Sequence, residues 1–278
     1  MKTASTKAEL KALVETAEGP LVLVPTMGAL HEGHLALIRK AREIAGPEGT
    51  VAVSIFVNPI QFDRVSDLEA YPRPMESDLA ACRAEGVDLV FAPGAGEMYA
   101  ADRSVTVTES RLSKDLCGGT RPGHFDGVCT VVLKLFLLTG CDAAVFGEKD
   151  FQQLAVIRRM VRDLDVPVEI VAHPTVREPD GLAMSSRNVR LTPEHRAVAP
   201  HVRWALVAAR NSGSKDAKEI LQMARDEIQK SDLATIDYLE LVDSETLEPL
   251  ERVERPATLA TAVFYGDVRL IDHIAIAP

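Results

Sequence analysis

The sequence predicts an α/β fold: a Rossmann-like parallel sheet with helices on both faces, joined to a smaller α+β C-terminal domain. In the first 172 residues, short apolar runs such as 21–25 and 51–57 alternate with stretches of helical spacing. Continuous apolar strands are typical of a parallel sheet buried on both faces. From about residue 175, two helical stretches are followed by three strand-like runs. We therefore expect one domain at 1–175 and a second at 176–278.

The N-terminal domain is predicted to hold five strands and four helices. Apolar and β-branched residues predict strands at 21–25, 51–57, 87–92, 143–146 and 168–172. Helical spacing predicts helices at 33–44, 76–85, 128–138 and 150–164. Asp126 is a candidate N-cap of the third helix, and Gly140 is expected to end it.

The C-terminal domain is predicted to be smaller and of mixed type. Helices are expected at 193–209 and 217–229, and strands at 236–242, 259–264 and 270–276. Gly266 and Asp267 predict a hairpin turn between the last two strands.

The composition disfavours several classes of protein. The chain has 278 residues and a formal net charge of −10, so its surface should repel nucleic acid. Its four cysteines show no CxxC or zinc spacing, which favours reduced thiols and a cytoplasmic protein. Residues 1–7 are polar and no apolar run has the length of a membrane span. We therefore expect no nucleic-acid or membrane partner.

Two histidines follow the first predicted strand, in the segment PTMGALHEGH at 25–34. His31 and His34 lie at the start of a helix, where the spacing allows both rings to face the same way. Free N–H groups and the positive end of the helix dipole favour phosphate there. A structural histidine pair or a zinc site is the alternative, although no third ligand is spaced nearby.

Polar segments also follow two later strands. Asn58 and Gln61 are amides that suit recognition of a hydroxyl or a carboxylate, with loop capping as the alternative. Gly147 allows close backbone approach and Lys149 supplies a charge for phosphate, while Asp150 suits either a helix cap or a ribose contact. Because the carboxyl ends of parallel strands meet at one sheet edge, we expect these segments to share a cleft with the histidines.

Two further segments could bind an anion. Met184-Ser185-Ser186-Arg187 offers two hydroxyls and a guanidinium for a triphosphate, or else a helix cap with a surface arginine. Arg121 to Phe125 forms a shaped turn in which His124 either reaches an anion or packs against the turn. Tyr71 is expected at most to line a pocket.

Taken together, these motifs resemble those of a known family. An HxGH after the first strand and a later MSSR resemble the nucleotidyltransferases related to class I aminoacyl-tRNA synthetases. The fuller set is similar to the pantothenate synthetase (pantoate–β-alanine ligase) family. It comprises PTMGALHEGH at 25–34, FVNPIQF at 56–62, YPR at 71–73, RPGHF at 121–125, FGEKD at 146–150 and MSSR at 184–187.

The resemblance implies a ligase of coenzyme A biosynthesis that uses ATP and Mg²⁺. Pantoate and ATP would give pantoyl adenylate and pyrophosphate, and β-alanine would then displace AMP to give pantothenate. The resemblance also implies a homodimer, an N-terminal domain that binds nucleotide and pantoate, and a C-terminal domain that closes over the active site. It assigns no metal ligand in this sequence.

The resemblance carries roles over by position. The implied catalytic residues are His31, His34, Lys149, Ser185, Ser186 and Arg187. The implied ATP-binding residues are Met27, Gly28, Ala29, Leu30, His31, Glu32, Gly33, His34, Gly147, Glu148, Lys149, Asp150, Val176, Met184, Ser185, Ser186 and Arg187. The implied substrate-binding residues are Asn58, Gln61, Tyr71, His124 and Gln153.

Two alternatives remain beside this interpretation. One is another nucleotidyltransferase with a different acceptor, which the HxGH motif does not separate. The other is a non-catalytic nucleotide-binding module, which would not need Lys149, His34 and Arg187 together because it has no transition state to stabilise. A dinucleotide dehydrogenase is disfavoured, since no GxGxxG opens a helix after the first strand.

Overall fold

A six-stranded parallel sheet forms the N-terminal part of the structure, a computed structural model that describes residues 1–278. Its strands are β1 (Lys2–Ala4), β2 (Leu21–Thr26), β3 (Thr50–Ile55), β4 (Leu89–Phe91), β5 (Ala143–Gly147) and β6 (Glu169–His173). They lie in the order β1-β4-β3-β2-β5-β6, and every pairing is parallel. The predicted fold class is confirmed.

Eleven α-helices accompany the strands along the chain. They are α1 (Lys7–Val14), α2 (Glu32–Ala45), α3 (Val65–Glu69), α4 (Met75–Ala84), α5 (Ala95–Met98), α6 (Leu116–Thr120), α7 (His124–Thr139), α8 (Phe151–Asp163), α9 (Pro193–Val198), α10 (His201–Asn211) and α11 (Ala217–Ile228). Short 3-10 turns lie at Pro59–Gln61, Glu148–Asp150 and Asn188–Arg190. None of the helices is long and apolar enough to cross a membrane.

The core of the parallel sheet explains why these apolar runs form strands. Val22 and Val53 are completely buried, as is Ile38 on the helix that packs against them. Each such side chain stabilises the fold by about 1.5–3 kcal/mol relative to an exposed one. This core holds the sheet and α2 rigidly together, so the segment that joins β2 to α2 has a fixed start and a fixed end.

The strand order creates a switch point beside β2. From β2 the chain moves to β3 and β4 on one side, and then crosses back to β5 on the other side. In open α/β sheets, ligands bind outside the carboxyl ends of the strands at such a point. Met27 and Asn58 therefore follow β2 and β3, Gly147 is the last residue of β5, and these three strands are neighbours in the sheet.

A three-stranded antiparallel sheet forms the C-terminal part. It consists of β7 (Thr235–Asp243), β8 (Ala257–Tyr265) and β9 (Val268–Ile276). Tyr265 pairs with Val268 across the predicted turn, where Gly266 has a φ of +58°. Its core includes Leu206, Ile220, Leu241 and Ile274. The predicted smaller α+β domain is confirmed.

The chain divides into two units by its internal contacts. The first comprises Met1–Glu109, Pro122–Glu148 and Val156–Pro174. The second comprises Ser110–Arg121, Lys149–Ala155 and Thr175–Pro278. These units differ from the expected domains, 1–175 and 176–278, in two segments that group with the C-terminal unit.

Two predicted helix boundaries were wrong. The helix expected at 193–209 is two helices, because Pro200 has no N–H to continue the hydrogen-bond ladder and α10 begins after it. The helix expected to be capped by Asp126 begins earlier, at His124, after Gly123 in a left-handed conformation. Its predicted end at Gly140, with a φ of +57°, is confirmed.

Two elements near the N terminus, β1 and α1, were not predicted. β1 is only three residues long and pairs with β4, and its one buried side chain is Ala4. α1 is capped by Thr6 and Glu9, which form a reciprocal capping box. A three-residue strand carries too little periodicity to be recognised without its partner.

Candidate active site

The loop after β2 is held by hydrogen bonds to its backbone. Gly28 has a φ of +68°, and a Cβ there would lie 2.5 Å from Oδ2 of Asp78. The N–H of Leu30 donates to Oδ1 of Asp78 at 2.7 Å, and the hydroxyl of Tyr71 donates to the carbonyl of Gly28 at 2.8 Å. Only glycine combines this conformation with this close approach. The loop is therefore fixed before it reaches the histidines.

The two histidines cap helix α2 reciprocally. His31 is the N-cap, and its Nδ1 accepts from the N–H of Gly33 at 3.1 Å. The N–H of His31 donates to Nδ1 of His34 at 3.3 Å. The ring centroids lie 4.0 Å apart. This is the geometry of a capping box built from imidazoles instead of a hydroxyl and a carboxylate.

The capping bonds determine where each ring carries its proton. A nitrogen that accepts a backbone N–H bond has no proton of its own, so a neutral ring must carry its proton on Nε2. His31 and His34 therefore each have an Nε2–H donor at the positive end of a helix. Such a pair can donate to phosphate oxygens without itself being charged.

Asp78 is a residue that the sequence analysis did not assign. It lies on α4, it is 2% exposed, and burial raises the pKa of its carboxyl although the bond from Leu30 opposes the shift. By accepting the hydrogen bond from Leu30, Asp78 fixes the loop that leads into the HxGH segment. A signal existed in the sequence, since this carboxylate lies in an otherwise apolar stripe of a short helix.

A network of buried amides lies at the end of β3. Nδ2 of Asn58 donates to Oε1 of Gln61 at 2.9 Å and to the carbonyl of Gly127 at 3.0 Å. The hydroxyl of Tyr99 donates to Oδ1 of Asn58 at 2.8 Å. Nε2 of Gln61 donates to Sδ of Met27 at 3.1 Å. Both protons of the Asn58 amide are thus used inside the protein.

Helix α7 approaches the same turn closely. A Cβ on Gly127 would lie 2.6 Å from both Cα of Gln61 and the carbonyl oxygen of Ile60, so only glycine fits. Nδ1 of His124 lies 2.7 Å from the carbonyl oxygen of Gln61. A carbonyl only accepts, so Nδ1 of His124 carries the proton there. His124, which was predicted to bind substrate, thus has a contact that positions Gln61.

Lys149, Asp150 and Gln153 belong to the second unit. Nζ of Lys149 lies 3.7 Å from Oδ2 of Asp150, and the Lys149 side chain is 20% exposed. Gln153 is half-buried on α8. Its neighbour Gln152 is buried and accepts from the N–H of Cys117 at 2.9 Å. Gln152 thus anchors segment 110–121, whereas the pantoate-binding role expected of Gln153 stays a prediction.

The serine–arginine segment is carried on a small hairpin. The N–H of Met184 donates to the carbonyl of Val176 at 3.0 Å, and residues Arg177 and Ala183 form a bridge. Ser186 is buried, and the N–H of Arg187 donates to Oγ of Ser185 at 3.2 Å. Val176 and Met184, which lie apart in the sequence, are therefore brought together.

Ion pairs anchor the first arm and the turn of this hairpin. Arg177 donates to the carboxylate of Asp272 at 2.7 and 2.8 Å. Arg196 bridges Asp180 at 2.6 Å and Glu178 at 2.5 Å. The bidentate geometry orients the arginine firmly. Lys149 and Ser185 line one recess in this unit, which has room for about one water molecule.

The structure thus assembles the predicted site residues in two groups. The first unit carries Met27, Gly28, Leu30, His31 and His34 after β2 and Asn58 and Gln61 after β3, and hydrogen bonds join Tyr71 to Gly28 and His124 to Gln61. The second unit brings Lys149 to the same recess as Ser185 and Val176 to Met184. Gly147 ends β5, and Glu148 begins the turn that follows it. Their gathering around one nucleotide stays a prediction.

Comparison with known proteins decides which family carries this arrangement. The family model described as pantoate–beta-alanine ligase matches residues 2–275. The chain belongs to the pantoate–β-alanine ligase family. It is accordingly an enzyme, a ligase, and the predicted family is confirmed.

Relatives in two bacteria match over nearly the whole chain. Pantothenate synthetase of Akkermansia muciniphila is 52% identical over 99% of this chain and 100% of its own length. Pantothenate synthetase of Thermotoga petrophila is 48% identical over 98% of this chain and 99% of its own length.

Solved structures of the family have the same fold. The crystal structure of pantothenate synthetase from Thermus thermophilus has a TM-score of 0.92 at 46% identity, covering 100% of both chains. Pantoate–beta-alanine ligase from Francisella tularensis, complexed with beta-gamma ATP and beta-alanine, has a TM-score of 0.83 at 31% identity. It covers 99% of this chain and 97% of the other.

Proposed function

We propose that this chain condenses pantoate with β-alanine at the expense of ATP, giving pantothenate, AMP and pyrophosphate. The observation that carries the proposal is the reciprocal cap of His31 and His34 at the switch point, in a member of the pantoate–β-alanine ligase family. A carboxylate and a triphosphate must approach each other against their repulsion. Positioning and electrostatic stabilisation therefore supply the rate.

In the first step, a pantoate carboxylate oxygen attacks the α-phosphorus of ATP. The bond from that phosphorus to the bridging oxygen breaks, so that pyrophosphate leaves and pantoyl adenylate remains. His34 and His31 donate from Nε2 to oxygens that gain charge in the transition state. The backbone of 27–30 and the first turn of α2, including Glu32 and Gly33, hold the nucleotide.

The cationic and hydroxyl groups of the second unit bind the rest of the nucleotide. Lys149 and Arg187 neutralise phosphate charge, and Ser185 and Ser186 donate to phosphate oxygens. Asp150, beside Lys149, accepts from ribose hydroxyls, next to Gly147 and Glu148. The paired strands of the hairpin at Val176 and Met184 offer backbone groups to adenine. We propose that the C-terminal domain closes over the nucleotide in this way.

Pantoate binds through amides. Gln61 presents Nε2 toward the thioether of Met27, a weak acceptor that a carboxylate or hydroxyl oxygen can replace. Gln153 supplies the second amide. Asn58, Tyr71 and His124 line this part of the site, where their hydrogen bonds hold Gln61 and the loop at Gly28.

In the second step, the amine of β-alanine attacks the acyl carbon of the adenylate. The new C–N bond forms as the bond from that carbon to the AMP oxygen breaks, and the amine loses a proton. AMP is a good leaving group because the helix N terminus and the histidines already stabilise its phosphate. This step needs no nucleophilic side chain.

Mg²⁺ enters as part of the MgATP substrate. No group of three or more His, Cys, Asp or Glu side chains in the structure could hold a metal ion. Mg²⁺ keeps several waters and binds mainly through substrate phosphates, so it fits a site of this kind. We also expect a cytoplasmic homodimer, and the four free cysteines suit a reducing compartment.

Exchange of labelled pyrophosphate into ATP tests the proposal. Exchange should require pantoate and Mg²⁺ and should proceed without β-alanine, because the first step is reversible by itself. If exchange required β-alanine, the reaction would not pass through a separate pantoyl adenylate. If exchange depended on a different acid, that acid and not pantoate would be the substrate.

A further inference from the structure

Tyr99 is linked by hydrogen bonds to Gln61, the amide proposed to bind pantoate, although the two side chains are not direct hydrogen-bond partners. It lies at the C-terminal end of α5, and its hydroxyl donates to Oδ1 of Asn58 at 2.8 Å. Asn58 is 1% exposed and donates in turn to Oε1 of Gln61 at 2.9 Å. Tyr99 and Gln61 are thus joined through one buried amide.

The two amides in this chain of hydrogen bonds have only one consistent orientation. The carbonyl of Gly127 can only accept, so Nδ2 of Asn58 must face it, and the Tyr99 hydroxyl at the other end of the amide then donates to Oδ1. Asn58 must therefore turn Oδ1 to Tyr99 and Nδ2 to Gln61. Gln61 must then turn Oε1 to Asn58, which leaves Nε2 to donate on its other side.

The orientation of Gln61 matters because pantoate offers oxygen atoms. A carboxylate accepts hydrogen bonds only, so it is recognised by Nε2–H and repelled by Oε1. A reversed Gln61 amide would present the wrong group at the same place. Discrimination of this kind depends on a fixed amide rather than on a freely turning one.

The surroundings of Tyr99 keep its ring in place and its hydroxyl protonated. The guanidinium of Arg103 lies 5.4 Å and Nζ of Lys134 lies 5.8 Å from the ring centroid, and the ring of Phe56 lies 6.2 Å away. Burial raises the pKa of the Tyr99 hydroxyl to about 12, although Arg103 opposes the shift. The hydroxyl is thus a donor at neutral pH, and phenylalanine would fit the same space.

We propose that Tyr99 is a positioning residue for pantoate, which together with the carbonyl of Gly127 holds Asn58, and through it the Gln61 amide, so that Nε2–H of Gln61 faces the substrate. The proposal rests on the pantoate-binding role proposed for Gln61. The proposal thus gives a role to Tyr99, in the segment after β4, which lies outside all six motifs.

Tyr99→Phe tests this relay because it removes one hydroxyl and keeps the ring. The dissociation constant of pantoate, measured by titration calorimetry, and the KM for pantoate should both rise about three- to tenfold, as expected for one lost hydrogen bond. The KM for ATP and kcat should stay within about twofold of wild type. Tyr265→Phe is the matched control, since it removes a buried hydroxyl that has no hydrogen-bond partner. That control should leave pantoate binding unchanged.

A double-mutant cycle with Gln61→Ala separates the relay from a merely structural role. In the Gln61→Ala background, Tyr99→Phe should change pantoate binding less than about 1.5-fold, because it has no amide left to orient. Full additivity would overturn the relay. So would an unchanged pantoate constant in Tyr99→Phe, which would leave the role of Gln61 intact. An unchanged constant in Gln61→Ala would instead overturn the role of Gln61 itself, and the relay with it.

Discussion

His31 and His34 cap one helix for each other, with ring centroids 4.0 Å apart and Nδ1 of each ring accepting a backbone N–H. The arrangement therefore joins helix capping to the choice of the ring tautomer. The same nitrogens that cap helix α2 fix the tautomer of each ring, which leaves Nε2–H for the phosphate contact proposed above. A change to either histidine should thus alter both the helix terminus and the chemistry.

The tautomer of both rings can be checked directly. Nitrogen NMR of the labelled protein should report His31 and His34 as neutral rings with the proton on Nε2 at pH 7. His124 should show the opposite form, with the proton on Nδ1, because it faces a carbonyl. Nδ1–H in His31 or His34 would contradict the capping geometry.

His34→Ala should lower the rate of adenylate formation by about 10²- to 10³-fold, as when one donor to a developing oxyanion is lost. Pantoate-dependent pyrophosphate exchange measures this step. His201→Ala, which changes a histidine packed on Trp204, should keep wild-type exchange. Near-normal exchange in His34→Ala would remove its proposed role.

Lys149→Ala should have a similar effect, about 10²- to 10³-fold on adenylate formation, because a partly buried charge near phosphate is lost. Single-turnover release of pyrophosphate from ATP and pantoate, without β-alanine, checks it. Lys230→Ala serves as the control, since Lys230 lies at the surface and pairs with Glu227 at 2.6 Å. If both lysine variants behave alike, Lys149 does not contact the nucleotide.

Gln153→Ala should weaken pantoate binding and leave the ATP dependence nearly unchanged. Loss of a hydrogen bond to a charged ligand is worth about 1.5–3 kcal/mol, so the pantoate KM should rise about 10- to 150-fold. The control is Gln222→Ala, whose amide donates to Asp226 on the exposed face of α11. An unchanged pantoate KM would count against this contact.

Asp78→Asn should change the dependence of stability on pH. Burial raises the pKa of the Asp78 carboxyl in the folded protein, so the folded state holds this proton more tightly than the unfolded state. The stability that Asp78 contributes is therefore fully present below the pKa of the unfolded chain and falls as pH rises through the folded pKa. Asparagine keeps an acceptor for Leu30 and does not titrate.

Urea unfolding of both proteins at pH 4 to 7 tests this expectation. The free energy of unfolding of Asp78→Asn, relative to wild type, should increase as pH rises over this range. A constant difference would mean that the carboxyl titrates alike in the folded and unfolded chains. A decrease would mean that the folded state prefers the carboxylate.

Much of the fold followed from local patterns. The runs at 21–25 and 143–146 became strands because they can be buried on both faces, and Gly140 ended α7 because glycine accepts a left-handed conformation. The break at Pro200 could also have been predicted from its missing N–H. β1 could not, since its single buried residue gains its place only by pairing with β4.

The order and spacing of the motifs determined the family and named His31, His34 and Lys149, because chemistry that recognises phosphate needs particular residue types after particular strands. Only the tertiary structure decided that Asp78 holds the loop at Gly28 and that Asn58 donates both amide protons, one to Gln61 and one to Gly127. These roles depend on groups 48 and 69 residues apart in the chain meeting at hydrogen-bond distance. No local pattern carries that information, since packing alone brings the partners together.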